Sequence, residues 1–142
     1  MRLLNLTAVT LVTTFSAATA IADIIQDQLS QVGEYFYDNE DFVGNEIHER
    51  VVESGQEDAV YTDGRAGTEY LIAGACDEGC TDVDLRIYEV GGSGSPLAED
   101  LETDDRPLVQ FDVETDGQLA IVIRMVECDV ACRAGVLVMR RR

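Results

Sequence analysis

The sequence contains no lysine and no tryptophan, and it has a single histidine among 142 residues. All ten basic residues are arginines. The three at residues 140–142 could fold back on the acidic body, but we expect them to form an exposed tail. Without lysine, Schiff-base chemistry and a lysine nucleophile are excluded. A histidine-dependent triad would have to use His48, which lies beside Glu49 and Arg50 with no nucleophile motif around it. We therefore interpret His48 as an ordinary surface residue.

Positive charge is scarce, whereas acidic residues are abundant. The chain has 28 acidic residues against 10 basic ones, which gives a formal net charge of −18. Removal of the leader described next, which holds Arg2 and no acid, would change this to −18 − 1 = −19. Nucleic acid is excluded as a partner, because its phosphates need a basic surface. The acids fit either a solvated surface adapted to salt or a functional acidic patch, and the composition favours neither.

The longest apolar run is at the N-terminus. Arg2 is followed by mostly apolar residues from Leu3 to Phe15 and then by the small-residue triplet 18–20. This pattern is typical of a secretory signal peptide over residues 1–20, with a second cleavage triplet two residues later. A membrane anchor is the alternative, but the run is short and rich in threonine for a bilayer span. We expect secretion across a bacterial inner membrane, to the periplasm or the extracellular space, with no membrane span after processing.

About 120 residues remain after the leader, which is the length of one domain. The period of the apolar residues that follow predicts an amphipathic helix from Asp23 to about Tyr37, with Asp23 favouring its positive end. We assign residues 21–44 to this helix and a linker, and residues 45–142 to the folded domain. The apolar stripe requires a partner, either the sheet of the same chain or another protein. Its members are Ile25, Leu29, Val32 and Phe36.

Short stretches of alternating residues fill the rest of the chain, and glycine and aspartate turns separate them. This arrangement predicts an all-β fold, an antiparallel sandwich or barrel. Residues 42–44 are expected to interrupt the pattern, and residues 68–76 are apolar on both faces, as in a central strand. The predicted strands are 47–53, 58–61, 68–76, 83–90, 96–100, 108–113, 118–127 and 135–139. The predicted core contains Tyr70, Ile72, Leu85, Ile87, Phe111, Leu119, Ile121 and Ile123.

The four cysteines form two C-x3-C pairs, Cys76 with Cys80 and Cys128 with Cys132. In a secreted chain they predict disulfides, and local pairing is favoured because each pair brackets a tight loop at a strand end. Pairing between the loops is the alternative, since two loops of like construction indicate one shared end of the fold. A structural zinc site normally uses C-x2-C spacing, and a thiolate site is poorly placed in an oxidising compartment.

Acidic residues gather around the first cysteine loop and in a second turn near Arg106. A calcium site is one interpretation, because calcium takes six to eight oxygens in flexible geometry. The alternative is that no cofactor binds, and that these acids bond to the backbone amides of their own turns or to Arg86 or Arg106. No twelve-residue calcium-loop pattern is present. The candidate calcium ligands are Asp77, Asp82, Asp84, Asp104 and Asp105.

Segments between residues 67 and 139 carry a resemblance to a known family. A strand with Gly67, Tyr70 and Ile72 leads to D-x-D-L-x-I-Y at residues 82–88, and D-G-x-L-x-I-x-I follows at residues 116–123. This order resembles the bacterial pre-peptidase C-terminal domain (PPC-like domain) and its stand-alone secreted relatives. The resemblance implies a jelly-roll-like β-sandwich that serves as an accessory or binding module beside secreted hydrolases. No catalytic domain accompanies it within these 142 residues.

We therefore expect a secreted, non-catalytic β-sandwich module that binds a partner protein or an extracellular polymer such as a polysaccharide. The alternative is a small secreted hydrolase that uses carboxylates of the acidic loops, namely Asp77, Asp82 and Asp84. No catalytic pair stands out, because acids are too abundant for their number to mark one. The sequence leaves the ligand and the oligomeric state open.

Overall fold

The computed structural model of the protein describes residues 23–142, so the predicted signal peptide lies outside the described residues. Among these residues there is no helix with the length and apolar character that a membrane span requires. The elements in chain order are α1 (Asp23–Asn39), β1 (Phe42–Glu53), β2 (Glu57–Gly64), β3 (Thr68–Cys76), β4 (Cys80–Glu89), β5 (Ala98–Asp100), β6 (Leu108–Val113), β7 (Gly117–Cys128) and β8 (Ala131–Arg141).

The strands form two four-stranded sheets. Sheet A has the order β1-β8-β3-β6 and sheet B the order β2-β7-β4-β5, and every neighbouring pair is antiparallel. Eight strands distributed in this way between two facing sheets make a jelly roll. The predicted all-β, jelly-roll-like β-sandwich with one N-terminal helix is confirmed.

A hydrophobic core fills the space between the sheets. The alternation expected of strands is plain in β6, where Val109, Phe111 and Val113 are buried while their neighbours are exposed. Strand β3 is buried on both faces, as its sequence predicts. All eight residues predicted for the core are buried. This core fixes which strand ends meet at each end of the sandwich.

The outer face of sheet A is also apolar, and α1 covers it. Ile25 and Leu29 are buried there against Leu71 and Leu137, in a cluster separate from the core between the sheets. The stripe of the helix therefore meets its own sheet rather than another protein. Gly135 of β8 lies under the first turns of α1, where an added Cβ would come within 2.5 Å of Ile25 Cγ2 and 3.1 Å of Leu29 Cδ1.

Two expectations about the ends of the domain are wrong. Residues 42–44 belong to β1, so the sandwich begins at Phe42 and not at residue 45, because Phe42 pairs with Arg141 and is buried under α1. The C-terminal arginines are not a free tail. Arg141 bonds to Glu69 and lies 4.6 Å above the Phe42 ring, and Arg142 lies over the Tyr37 ring. These contacts attach Arg141 and Arg142 to the folded domain.

Replacement of Gly135 by alanine should weaken the docking of α1, because its methyl group has no room beneath Ile25 and Leu29. We expect the free energy of unfolding to fall by about 1–3 kcal/mol and the amides of α1 to exchange faster with solvent. Urea denaturation and hydrogen exchange measure these effects. Gly117→Ala is the matched control, since nothing lies within 4 Å of its added Cβ. Equal stability of the two variants would contradict the close approach of α1 to the backbone of Gly135.

Candidate functional site

Four connections meet at one end of the sandwich, which we call the acidic end: residues 53–57, 76–80, 100–108 and 128–131. The two cysteine loops lie side by side there, because Cys80 pairs with Cys128 across β4 and β7. The Asp129 amide donates to the Gly79 carbonyl at 3.1 Å. The shared end predicted from the like construction of the two loops is therefore confirmed.

Each cysteine loop is closed by its own disulfide. Cys76 bonds to Cys80 and Cys128 to Cys132, with Cα–Cα distances of 6.0 and 6.1 Å. This is the local pairing, and pairing between the loops does not occur. No free cysteine remains in the described part of the chain, so the thiolates of a zinc site are absent there. The two loops are covalently constrained and adjacent.

A groove of about 370 Å³ opens beside these loops, and we call it the end groove. Its apolar side is formed by Ile24 and Ile25 at the start of α1, and its other walls by residues 77–79 and 129–132. Val130 lies at the tip of the second loop and is 78% exposed, the largest exposed fraction among the exposed large apolar side chains. Acidic and apolar groups thus share one surface.

Asp77 is held firmly at the wall of the end groove. Its Oδ2 accepts a hydrogen bond from the backbone amide of Arg133 at 2.9 Å. Its Oδ1 is shielded from solvent and has no hydrogen-bond partner among residues 23–142. A Cβ added to Gly79 would lie 3.9 Å from Asp77 Oδ1 and 3.5 Å from Asp129 Oδ2. Both carboxylate oxygens therefore lie close to Gly79.

Asp82 and Asp84 project from β4 on the face opposite to Val83 and Leu85, and each is only 8% exposed. Burial raises the pKa of Asp82, and the negative charges of Glu127 and Asp104 raise it further. Burial also raises the pKa of Asp84, with a further rise from Asp82, although Arg86 and Arg124 act in the opposite direction. Asp82 Oδ1 has no partner among the described side chains and amides.

Asp104 and Asp105 belong to the connection before β6. Asp104 Oδ1 accepts from the Arg106 amide at 2.8 Å, and the Asp104 carbonyl accepts from the Val83 amide at 2.9 Å. The side chain of Asp105 forms an exposed, long ion pair with Arg106 at 3.9 Å, an arrangement that contributes little to stability. Asp104 therefore closes its own turn, which is the alternative to metal binding that the sequence left open.

The five acids considered for calcium do not form one group. Asp82 and Asp104 interact on the side of sheet B, whereas Asp77 faces the end groove beside α1. Across residues 23–142, no group of three or more histidine, cysteine, aspartate or glutamate side chains is arranged to hold a metal ion. The described residues therefore contain no arranged site for the predicted calcium ion. The hydrolase alternative requires acids that line one cleft, but Asp77 lines the end groove and Asp82 and Asp84 do not.

His48 lies on β1, where its Nε2 is 2.7 Å from Glu46 Oε1 at the surface. This contact is an ordinary surface pair. Sequence reasoning missed Asp129, Val130 and Ile24 as walls of the end groove. A valine between two cysteines in a tight turn was the available signal, because polar residues usually occupy such positions.

Comparison with known proteins identifies the fold but no family. No protein-family model matches the chain, and no curated protein is similar to it. The resemblance to the PPC-like domain therefore stays a prediction. Among solved structures, the chain is similar to the crystal structure of Aeromonas hydrophila PliG, a periplasmic lysozyme inhibitor of g-type lysozyme, with a TM-score of 0.51 and 9% identity over 67% of this chain and 86% of that one. At this identity the likeness shows the fold alone.

Reduction of both disulfides should weaken the domain without unfolding it. The chain-entropy model gives about 2 kcal/mol for a loop this short, so we expect a loss of about 4 kcal/mol in total. Urea denaturation with and without a thiol reductant measures the loss, and circular dichroism should still report strands. Complete loss of strand signal on reduction would show that the bridges, rather than the core, hold the sandwich.

Substitution of Asp82 by asparagine should stabilise the protein at neutral pH. Because folding raises the pKa of Asp82, its ionised form opposes folding at pH 7, and this cost is relieved as the pH falls through the folded pKa toward the unfolded value of about 3.9. We expect a gain on the order of 1 kcal/mol at pH 7 that shrinks on acidification.

Thermal and urea unfolding between pH 7 and pH 4 test this expectation. Asp112→Asn on β6 is the control, because Asp112 is exposed and the substitution removes the same charge. A destabilised Asp82 variant at pH 7, or a gain equal to that of the control, would contradict the assigned cause.

Proposed function

We propose that the protein is a non-catalytic module that binds a positively charged protein outside the cytoplasm through its acidic end. The observation that carries the proposal is Val130, which is 78% exposed at the tip of a disulfide-closed loop and next to carboxylates. An exposed apolar side chain on a rigid loop is a suitable centre for an interface, because little conformational entropy is lost when it binds.

The charge of the protein indicates the chemistry of the partner. The chain carries a formal charge of −18, and Asp77, Glu78 and Asp129 border the end groove. Complementary charge speeds association and selects against acidic partners. A basic protein therefore fits this surface better than an acidic or neutral one.

The two disulfides support a location outside the cytoplasm, because such bonds persist in oxidising compartments. The fold likeness to PliG supports a non-catalytic role in which a sandwich binds an enzyme. A polysaccharide fits less well: the exposed tyrosines of the described chain, Tyr35, Tyr37 and Tyr61, belong to α1 and β2 and not to the acidic end. We favour a protein partner on these grounds.

Binding to g-type lysozyme is the first experiment, because it is a defined probe that the PliG likeness makes relevant. With the oxidised protein immobilised for biolayer interferometry, we expect saturable binding that weakens about tenfold between about 50 mM and about 500 mM NaCl. Val130→Glu should weaken it by about tenfold. Val90→Glu is the matched control, since Val90 is 52% exposed in the turn after β4, away from the acidic end.

A panel of other basic proteins and a glycan array accompany this measurement. Saturable binding to one member of the protein panel with the same Val130 dependence would support the proposal with a different partner. Binding to the glycan array alone, or equal weak binding to every basic protein with no effect of Val130→Glu, would overturn it.

A further inference from the structure

A pocket of about 620 Å³ opens at the end of the sandwich opposite to the acidic end, and we call it the arginine pocket. It lies between β1 of sheet A and β2 of sheet B, which are edge strands of the two sheets. Its walls include residues 43–46, 61–63 and 138–140, together with Arg65 and Tyr70. Ligand pockets span about 300–1,000 Å³, so this cavity is large enough for a small molecule.

Two arginines of this pocket have no ionic partner among the described residues, although acids are abundant. Seven other arginines of residues 23–142 each lie within ion-pair distance of an aspartate or a glutamate. Arg65 and Arg140 form no ion pair and no side-chain hydrogen bond within the same range. Both of them line the arginine pocket. The two unpaired guanidinium groups of the described chain therefore belong to one cavity.

Tyr70 fixes the position of both arginines. It pairs with Arg140 across β3 and β8, so the two side chains share the face that points between the sheets. The Tyr70 hydroxyl accepts a hydrogen bond from the Arg65 amide and donates to the Asp63 carbonyl, both at 3.2 Å. Tyr70 is itself buried, and its ring stacks on Phe111. The backbone segments that carry Arg65 and Arg140 are therefore both attached to one fixed side chain.

A β-bulge in β1 brings a carboxylate to the same pocket. Val43 pairs with Arg140, and the next pair is Glu46 with Val138, so two residues of β1 stand opposite one residue of β8. The extra residue shifts the alternation of β1, and Glu46 points to the same face as Val43. Gly44 permits the bulge, because its φ is 126° and an added Cβ would be 2.9 Å from the Val138 carbonyl oxygen.

The guanidinium groups indicate that the ligand carries an anion. Arginine donates parallel hydrogen bonds that match the two oxygens of a carboxylate. The formal charge of −18 opposes anions at long range, and this opposition grows with the charge of the ligand. A ligand with a single negative charge is therefore favoured over a polyanion.

The carboxylates of the pocket indicate that the same ligand carries hydroxyl groups. Glu46 lies 2.7 Å from His48 Nε2 and 3.5 Å from Thr62 Oγ1, and Asp63 also lines the pocket. An ionised carboxylate accepts several hydrogen bonds and donates none, so both acids match hydroxyl donors. They would repel a doubly charged phosphate. A carboxylate on a hydroxyl-rich molecule satisfies the arginines and the acids together.

We propose that the arginine pocket binds one acidic sugar unit, a uronic acid. Arg65 and Arg140 donate to its carboxylate, and Glu46 and Asp63 accept from its hydroxyl groups. This is a second binding site that goes beyond the proposed function, because it lies at the other end of the sandwich from Val130.

Methyl β-glucuronide tests the pocket when it is titrated into the isotopically labelled, oxidised protein and followed by amide chemical shifts. We expect saturable shifts at residues 43–46, 62–66 and 138–140, with a dissociation constant on the order of 1 mM. Methyl β-glucoside lacks the charge and acetate lacks the hydroxyl groups, so each should bind at least about tenfold more weakly. Glycine and inorganic phosphate are titrated in parallel, because glycine offers a cation to the acids and phosphate offers a higher charge to the arginines.

Three variants separate a binding role of the arginines from general attraction. Arg65→Gln and Arg140→Gln should each weaken glucuronide binding by about tenfold. Neither should change the urea midpoint, because neither side chain has a partner among residues 23–142. Arg106→Gln is the matched control, since it removes the same charge from a side chain that is 69% exposed at the acidic end. Its affinity for the glucuronide should stay within about twofold of the parent protein.

Saturable glucuronide binding that requires Arg65 and Arg140 but not Arg106 supports the inference. The absence of saturable shifts at the pocket residues would overturn it, as would equal effects of Arg106→Gln and Arg140→Gln. Tighter binding of glycine or phosphate than of the glucuronide would also overturn the assignment to a sugar acid. Val130→Glu should leave the glucuronide shifts unchanged, whatever its effect on a basic protein, and their loss in that variant would place the ligand at the wrong end of the sandwich.

Discussion

The pairing of β3 with β8 in the middle of sheet A is the interaction on which both hydrophobic clusters depend. Successive residues of each strand point to opposite faces, so Ile72 and Val136 enter the core between the sheets while Leu71 and Leu137 meet α1. A one-residue slip would send every one of these side chains to the wrong layer. The packing between the sheets, the docking of α1 and the position of the strand ends that carry the cysteine loops therefore all depend on this register.

The large negative net charge is compatible with folding because most acidic side chains are exposed to water. Several arginines pair with acids of neighbouring strands, as Arg86 does with Glu99 and Arg124 with Glu57, but these contacts are largely exposed and each contributes little. The acidic end differs, because Asp77 and Asp82 each keep a shielded oxygen without a partner among residues 23–142. Each of these shielded oxygens carries a local cost in stability.

The two cysteine loops are the most strongly constrained connections of the acidic end, because each contains a disulfide. Each disulfide closes a loop of few residues, so its contribution to global stability is limited. Its local effect is larger, because it fixes Val130 and the carboxylates around Gly79 relative to the sandwich. The loops thus form a small, covalently constrained surface at one end of the sandwich. The helix takes part as well, since its first turn supplies the apolar side of the end groove.

The sequence by itself determined the type and order of the helix and strands and the composition of the core, because periods of two and of about 3.6 residues are local properties. It also indicated the disulfides and the common end of the cysteine loops. It did not place Phe42 in β1 or the C-terminal arginines in β8, since both depend on pairing between the two ends of the chain. Only the tertiary structure decided which acids share a surface: it separated Asp77 from Asp82 and Asp84 and set it beside Asp129 and the start of α1. The physical reason is that β4 belongs to sheet B, so its outward side chains lie on the outer face of that sheet. The disulfide loop before β4 turns toward the helix instead.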